Sequence, residues 1–79
     1  MVDKYFISQM QPGETLMVVC RDAAALDSVY RLAMDLRSAE ENKAAFAVSR
    51  GATTMTVVIR RWVLEGEKDS KFTRTVIKE

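Results

Sequence analysis

The amino-acid sequence predicts a small α+β domain in which a sheet of about four strands carries one helix on one face. Three patterns lead to this fold class: a helical apolar stripe over residues 22–42, an alternating hairpin over residues 44–59, and a second alternating segment at residues 72–77. The predicted order is β-α-β-β-β, with an extra N-terminal strand as an alternative. The sheet is expected to be mostly antiparallel.

Size and composition are those of one globular domain spanning residues 1–79. The chain has 48% apolar and 29% charged residues. A domain this short buries only about 60–65% of its unfolded surface, so self-association is a natural source of extra stability. The net charge is +1, from twelve basic and eleven acidic side chains. This balance creates no global field that attracts nucleic acid or an anionic membrane.

The first thirteen residues are predicted to form an N-terminal arm whose order the sequence leaves open. Its run Tyr5-Phe6-Ile7 fits a short strand or an apolar arm that folds back on the domain. A turn at 11–14 follows, because Pro12 presets φ and Gly13 accepts a positive φ. Residues 15–20 are apolar on both faces, which predicts an interior strand. That strand lies either beside residues 44–49 or at the other edge of the long strand described below.

Asp22 is expected to cap a helix that runs from Ala23 to about Asn42, a stretch without Gly or Pro. One side of this helix is apolar, and it faces the sheet. The members of the stripe are Ala25, Leu26, Val29, Leu32, Ala33, Leu36 and Ala39. Asp27, Arg31 and Asp35 occupy the exposed side as opposite-charge pairs four residues apart.

The hairpin over residues 44–59 is predicted to turn at Gly51-Ala52 through a two-residue type II′ turn. That turn pairs three sets of apolar residues beneath the helix: Val48 with Met55, Phe46 with Val57, and Ala44 with Ile59. The other face carries Thr54, Thr56, Val58, Arg60 and Trp62, with Lys43 opposite Arg60.

The second strand of this hairpin is predicted to be long, running from Thr53 to Leu64. It measures about 40 Å, about twice its partner, so its far half needs another neighbour. The segment Phe72–Ile77 alternates again after a charged loop. A second hairpin that returns along residues 60–64 is therefore expected.

The residue inventory argues against an enzyme and against a bound cofactor or metal. The chain has no histidine, which is the commonest general base and transition-metal ligand. Cys20 is the single thiol; Arg21 and the helix start favour its thiolate, but a small buried hydrophobe is the preferred interpretation. A thiol enzyme built on Cys20 is kept as a third hypothesis.

The leading functional hypothesis is a protein-interaction module that associates with another copy of itself. Its contact residues are Val58, Arg60 and Trp62 on the sheet face away from the helix, or else a sheet edge, because exposed apolar groups and Trp or Arg mark contact sites. The arm at residues 5–7 covering Trp62 is the intramolecular alternative. The second hypothesis is weak binding of single-stranded nucleic acid through Arg60, Trp62, Lys43 and Arg74.

A cytoplasmic location is expected, because one cysteine forms no internal disulfide and the chain opens on no signal-peptide pattern. The longest mostly apolar stretch, residues 55–64, is interrupted by Thr56, Arg60 and Arg61. It is also far shorter than the roughly 20 residues of a membrane span, so no membrane association is expected.

Overall fold

The computed structural model describes residues 2–39 and 45–78. These ranges form one four-stranded sheet and two helices, so the predicted α+β class is confirmed. The elements in chain order are α1 (Lys4–Ser8), β1 (Thr15–Cys20), α2 (Ala23–Ser38), β2 (Phe46–Gly51), β3 (Thr56–Arg61) and β4 (Thr73–Lys78).

The strands lie side by side in the order β2-β3-β1-β4. β3 pairs antiparallel with both β1 and β2, and β4 pairs parallel with β1. β1 is therefore interior, as predicted. Of its two expected positions it takes the second, beside β3. β2 and β4 form the two edges of the sheet.

The prediction that β4 returns along residues 60–64 as a second hairpin is wrong. β3 ends at Arg61, and β4 crosses to the far side of β1, where Val18 lies opposite Val76. The alternating pattern of β4 indicates a strand but not its neighbour. The choice depends on the eleven-residue connection between the strands, which is long enough to reach past β3.

The hairpin between β2 and β3 exists, but its predicted turn and register are wrong. Val48 pairs with Ile59 and not with Met55. The observed register therefore differs from the predicted one by four positions. Gly51 ends β2 with an ordinary φ, and Met55 takes the left-handed conformation at φ 52°. The connection is thus a four-residue loop over residues 52–55. A shift by an even number leaves every side chain on its predicted face. The predicted partner positions 43 and 44 lie outside the described residues.

Helix α2 begins where the sequence predicts. The carboxylate of Asp22 accepts a hydrogen bond of 2.9 Å from the amide of Ala25, which caps the first turn. The helix ends at Ser38, before the predicted end near residue 42, and residues 40–42 lie outside the described ranges. On its exposed side Asp27 pairs with Arg50 of β2 at 2.7 Å. The sequence predicted ion pairs within the helix, and this ion pair between the helix and a strand was not among them.

The segment at residues 5–7 is part of a short helix and not a strand. Asp3 caps α1 by accepting the amide of Phe6 at 2.8 Å. α1 packs against α2, and Ile7 is fully buried there. The N-terminal arm therefore lies on the helix layer, and the alternative in which it covers Trp62 is wrong.

The core lies between the sheet and α2, on the face predicted from alternation. Leu26, Val29 and Ala33 of α2 belong to the same buried cluster as Ile7 of α1. The sheet contributes the alternate positions of its strands: Leu16, Val18, Cys20, Phe46, Val57 and Ile59. Both described helices thus occupy one face of the sheet.

Candidate functional site

The opposite side of the sheet, here called the open face, is the candidate site. Strict alternation and the strand registers assign it the residues Thr15, Met17, Val19, Ala47, Ser49, Thr56, Val58, Arg60, Thr73, Thr75 and Ile77. Within the described ranges both helices lie on the other face. The open face is therefore the large surface of the sheet that no helix of those ranges covers.

The structure brings the three predicted contact residues together on the open face. Val58 and Arg60 are alternate residues of β3, and Trp62 continues the ladder because its amide donates to Ala45 O at 2.8 Å. The guanidinium carbon of Arg60 lies 5.1 Å from the centre of the Trp62 ring, within the range of a cation–π contact. Trp62 remains 44% exposed.

Sequence reasoning missed three further apolar members of the open face. Met17 lies opposite Val58, and Val19 lies between Thr56 and Ile77. Ile77 is 72% exposed, a high value for an isoleucine in a strand. β1 is apolar at every position but one, so its alternation does not show which side chains face away from the helix. The β1 side chains that face away from the helix are identified only by the strands that pair with β1.

One member of the predicted nucleic-acid group, Arg74, does not join Arg60 and Trp62. Arg74 lies on the helix face, where its register partner in β1 is Leu16, and position 43 lies outside the described residues. The guanidinium carbon of Arg74 lies 5.4 Å from the ring centre of Phe6 and 5.6 Å from that of Phe72. The single-strand surface proposed from the sequence is therefore not assembled by the described residues.

Arg74 instead faces a buried carboxylate that the sequence placed in a turn. Glu14 is only 1% exposed. Its Oε1 accepts the amide of Gln11 at 2.9 Å, and its Oε2 lies 3.4 Å from a guanidinium nitrogen of Arg74. Oε2 receives no hydrogen bond from the described part of the chain. The positive charge of Arg74 is thus the main interaction that offsets the cost of burying that oxygen.

A charged clamp holds the segment that follows β3. Arg61 donates two hydrogen bonds to Glu67, at 3.1 and 2.8 Å, and also bonds the carbonyl of Trp62. The same carboxylate accepts the amide of Leu64 at 2.9 Å. The pKa of Glu67 is lowered, chiefly by the Arg61 hydrogen bonds and then by the Leu64 amide. This clamp orients the backbone beside Trp62.

We expect Glu67→Gln to lower the urea midpoint of unfolding at about pH 7 and to lower it less at about pH 3. A folded-state pKa below the ordinary glutamate value stabilises the fold above that value, and this contribution disappears as the pH falls through the folded pKa. Glu65→Gln, an exposed site on the same loop, is the control. Equal midpoint losses at both pH values would contradict this assignment.

Cys20 lies at the buried end of β1, as the preferred interpretation proposed. Burial raises the pKa of its thiol; Lys78 lowers that pKa and Asp22 raises it. The thiol form therefore dominates near neutral pH, which is opposite to the activation that a thiol nucleophile requires.

Within residues 2–39 and 45–78, no group of three or more Cys, Asp or Glu side chains is arranged to hold a metal ion. None of the helices in these ranges is both long and apolar enough to cross a membrane. Comparison with known protein families, curated proteins and solved structures found no match to this chain. The geometry defines the class as a small α+β domain with one uncovered sheet face, and the function is argued from that surface.

Proposed function

We propose that this domain is a non-enzymatic protein-interaction module that associates with a second copy of itself. The contact surface is the open face, centred on Val58, Arg60 and Trp62. The observation that carries the proposal is the composition of this face. Among its strand residues, all within the described ranges, Arg60 is the single charged side chain. An ordinary solvated sheet face carries Lys and Glu at such positions.

The distribution of apolar side chains supports the same proposal. Met17 and Val58 pair across the two central strands, and Trp62 extends the apolar surface beyond the end of β3. Arg60 has no carboxylate within ion-pair distance among the described residues, and it stacks on Trp62. Trp and Arg are enriched in the residues that dominate binding energy at interfaces. A second copy supplies a matching, nearly uncharged surface, so contact between two open faces buries few unpaired charges.

The size of the open face predicts weak association through this face alone. Four strands spaced about 4.8 Å apart, each six residues long at about 3.3 Å per residue, cover roughly 400 Å². Stable dimers bury about 800 Å² per partner. Contact through this face is therefore expected to be concentration-dependent, with association in the high-micromolar range.

Sedimentation velocity over a range of concentrations tests the proposal. We expect the wild-type mass to rise above one chain as concentration increases, and Trp62→Ser to raise the dissociation constant at least about tenfold. Trp62 is an exposed side chain, so its replacement leaves the core intact.

Tyr5→Ser is the matched control, because it removes an exposed aromatic residue from α1 on the opposite layer. This variant is expected to associate like the wild type. A wild-type chain that stays monomeric at high micromolar concentration would contradict the proposal. An equal loss in the two variants would show that the open face is not the contact.

Nucleic acid is the alternative that the same tryptophan can test. One arginine neutralises about one phosphate, whereas single-strand binders combine several cations with stacked aromatic rings. Salt-sensitive quenching of Trp62 fluorescence by an oligonucleotide would favour this alternative over self-association. We place the module in a reducing compartment such as the cytoplasm, which suits a single buried thiol.

A further inference from the structure

The two edges of the sheet are protected to very different degrees. α2 borders the β2 edge: Arg37 donates from Nε to Phe46 O at 3.2 Å. Arg50, near the other end of β2, is held by Asp27 and lies over the ring of Tyr30, 4.5 Å from its centre. A covering helix is one of the usual means of blocking an edge. α1 reaches β4 at Arg74, which lies over the ring of Phe6. In the described part of the chain, however, neither helix forms a hydrogen bond with the backbone of β4.

The outer edge of the β4 backbone carries N–H and C=O groups that form no hydrogen bond with the described part of the chain. The amide of Thr15 donates to Phe72 O at 2.8 Å, and the amide of Arg21 donates to Lys78 O at 3.2 Å. In a parallel ladder, alternate residues of one strand bond to its neighbour. The even-numbered residues of β4 therefore face β1. The N–H and C=O groups of Thr73, Thr75 and Ile77 point away from the sheet.

The residues of β4 also favour pairing with another strand. Four of its six residues are β-branched, it contains neither Gly nor Pro, and most of its side chains are exposed. Ile77 projects from the open face at this edge. An exposed edge of this composition is a template for strand addition.

We propose that β4 pairs antiparallel with β4 of a second copy, with Thr75 on the two-fold axis. The two sheets then join into one sheet of eight strands. This inference rests on the self-association proposed above and identifies a sheet edge that takes part in it. Two-fold pairing uses the same surface on both copies, as closed dimers of one chain commonly do.

The charges along β4 favour this register over the two neighbouring registers. With Thr75 opposite Thr75 of the second copy, Arg74 faces Val76. A shift of one hydrogen-bonded step in one direction places Arg74 opposite Arg74, and a shift in the other direction places Arg74 opposite Lys78. Like charges directly opposite one another destabilise a strand pair. The register centred on Thr75 avoids both contacts and also pairs Thr73 with Ile77.

Edge pairing also doubles the area of the open face, which is small in a single chain. One sheet offers roughly 400 Å², and two sheets joined through β4 offer roughly 800 Å² on one continuous surface. That value reaches the area per partner of a stable interface. The two contacts are therefore expected to form together: β4 joins two chains while the doubled open face binds another pair, so the loss of either contact weakens the association.

Thr75→Pro tests the edge with little change to the fold. Proline lacks an amide hydrogen, and the amide of Thr75 points outward, so every hydrogen bond between β4 and β1 is retained. We expect this variant to sediment as a monomer at concentrations where the wild type associates, with the dissociation constant raised at least about tenfold. Thr75→Val keeps both the amide and the β-branched shape, and it is expected to associate like the wild type.

Amide hydrogen exchange, followed residue by residue in the wild-type chain, needs no variant to fold. We expect the amides of Thr73, Thr75 and Ile77 to exchange at least about tenfold more slowly in concentrated than in dilute protein. The outward amides of Val48 and Arg50 on the β2 edge serve as internal controls, with rates independent of concentration.

The outcomes separate this inference from the proposed function. A monomeric wild type overturns both. Association that survives Thr75→Pro but is lost in Trp62→Ser, or a Thr75 amide that exchanges equally fast at all concentrations, overturns edge pairing and leaves contact through the open face standing. Loss of association in Thr75→Pro, together with concentration-dependent protection of Thr75, supports edge pairing.

Discussion

Replacing Arg74 by alanine is expected to lower the free energy of unfolding by about 2–3 kcal/mol, because it leaves a buried carboxylate without its counter-charge. Glu14 is 1% exposed, and among the described residues its Oε2 has no hydrogen-bond partner and lies 3.4 Å from a guanidinium nitrogen of Arg74. Removing one partner of a fully buried pair commonly costs about 3–5 kcal/mol. The smaller value applies here because Arg74 is 43% exposed and Oε1 keeps its bond to the Gln11 amide.

Urea unfolding of a double-mutant cycle checks this assignment. In a Glu14→Gln background no buried charge remains, so Arg74→Ala is expected to cost less than about 1 kcal/mol there. Arg60→Ala on the open face is the matched control, because it removes an exposed arginine and should change stability by no more than about 0.5 kcal/mol. An equal cost of Arg74→Ala in both backgrounds would show that its contacts with the two phenylalanine rings, and not Glu14, are what matter.

Gly13→Ala is expected to cost about 3 kcal/mol, because two separate penalties meet at this residue. Gly13 has φ 83°, a conformation that strains any residue with a Cβ. An added Cβ would also lie 1.9 Å from Oδ1 of Asp69 and 3.2 Å from the amide of Ser70. The Asp69 carboxylate cannot simply move away, since the same oxygen accepts the amide of Lys71 at 2.9 Å.

Gly66 provides the control that separates backbone strain from steric overlap. It has φ 85°, but an added Cβ there would meet nothing within 4 Å. Gly66→Ala is therefore expected to cost only about 1 kcal/mol, the contribution of the left-handed backbone alone. Thermal or urea unfolding of both variants gives the comparison. Equal losses would contradict the close packing of the 69–71 segment against Gly13.

The candidate site was predictable where it depends on alternation along one strand. Val58, Arg60 and Trp62 were assigned to the face away from the helix, and the structure places them there despite a register that differs by four positions. Met17 and Ile77 were not predictable in the same way. Their place on the open face depends on which strands flank β1, and no local pattern in β1 or β4 specifies a neighbour.

The amino-acid sequence by itself determined the class of the fold, the limits of β1, the cap at Asp22 and the faces on which the residues of β2 and β3 lie. These features follow from periodicity and capping, which act over a few residues. Tertiary structure decided the hairpin register, the parallel pairing of β4 with β1 and the burial of Glu14. Each of these depends on segments distant in the chain, whose pairing is selected by the packing of the whole sheet and its connections. Local preference alone does not distinguish among such pairings.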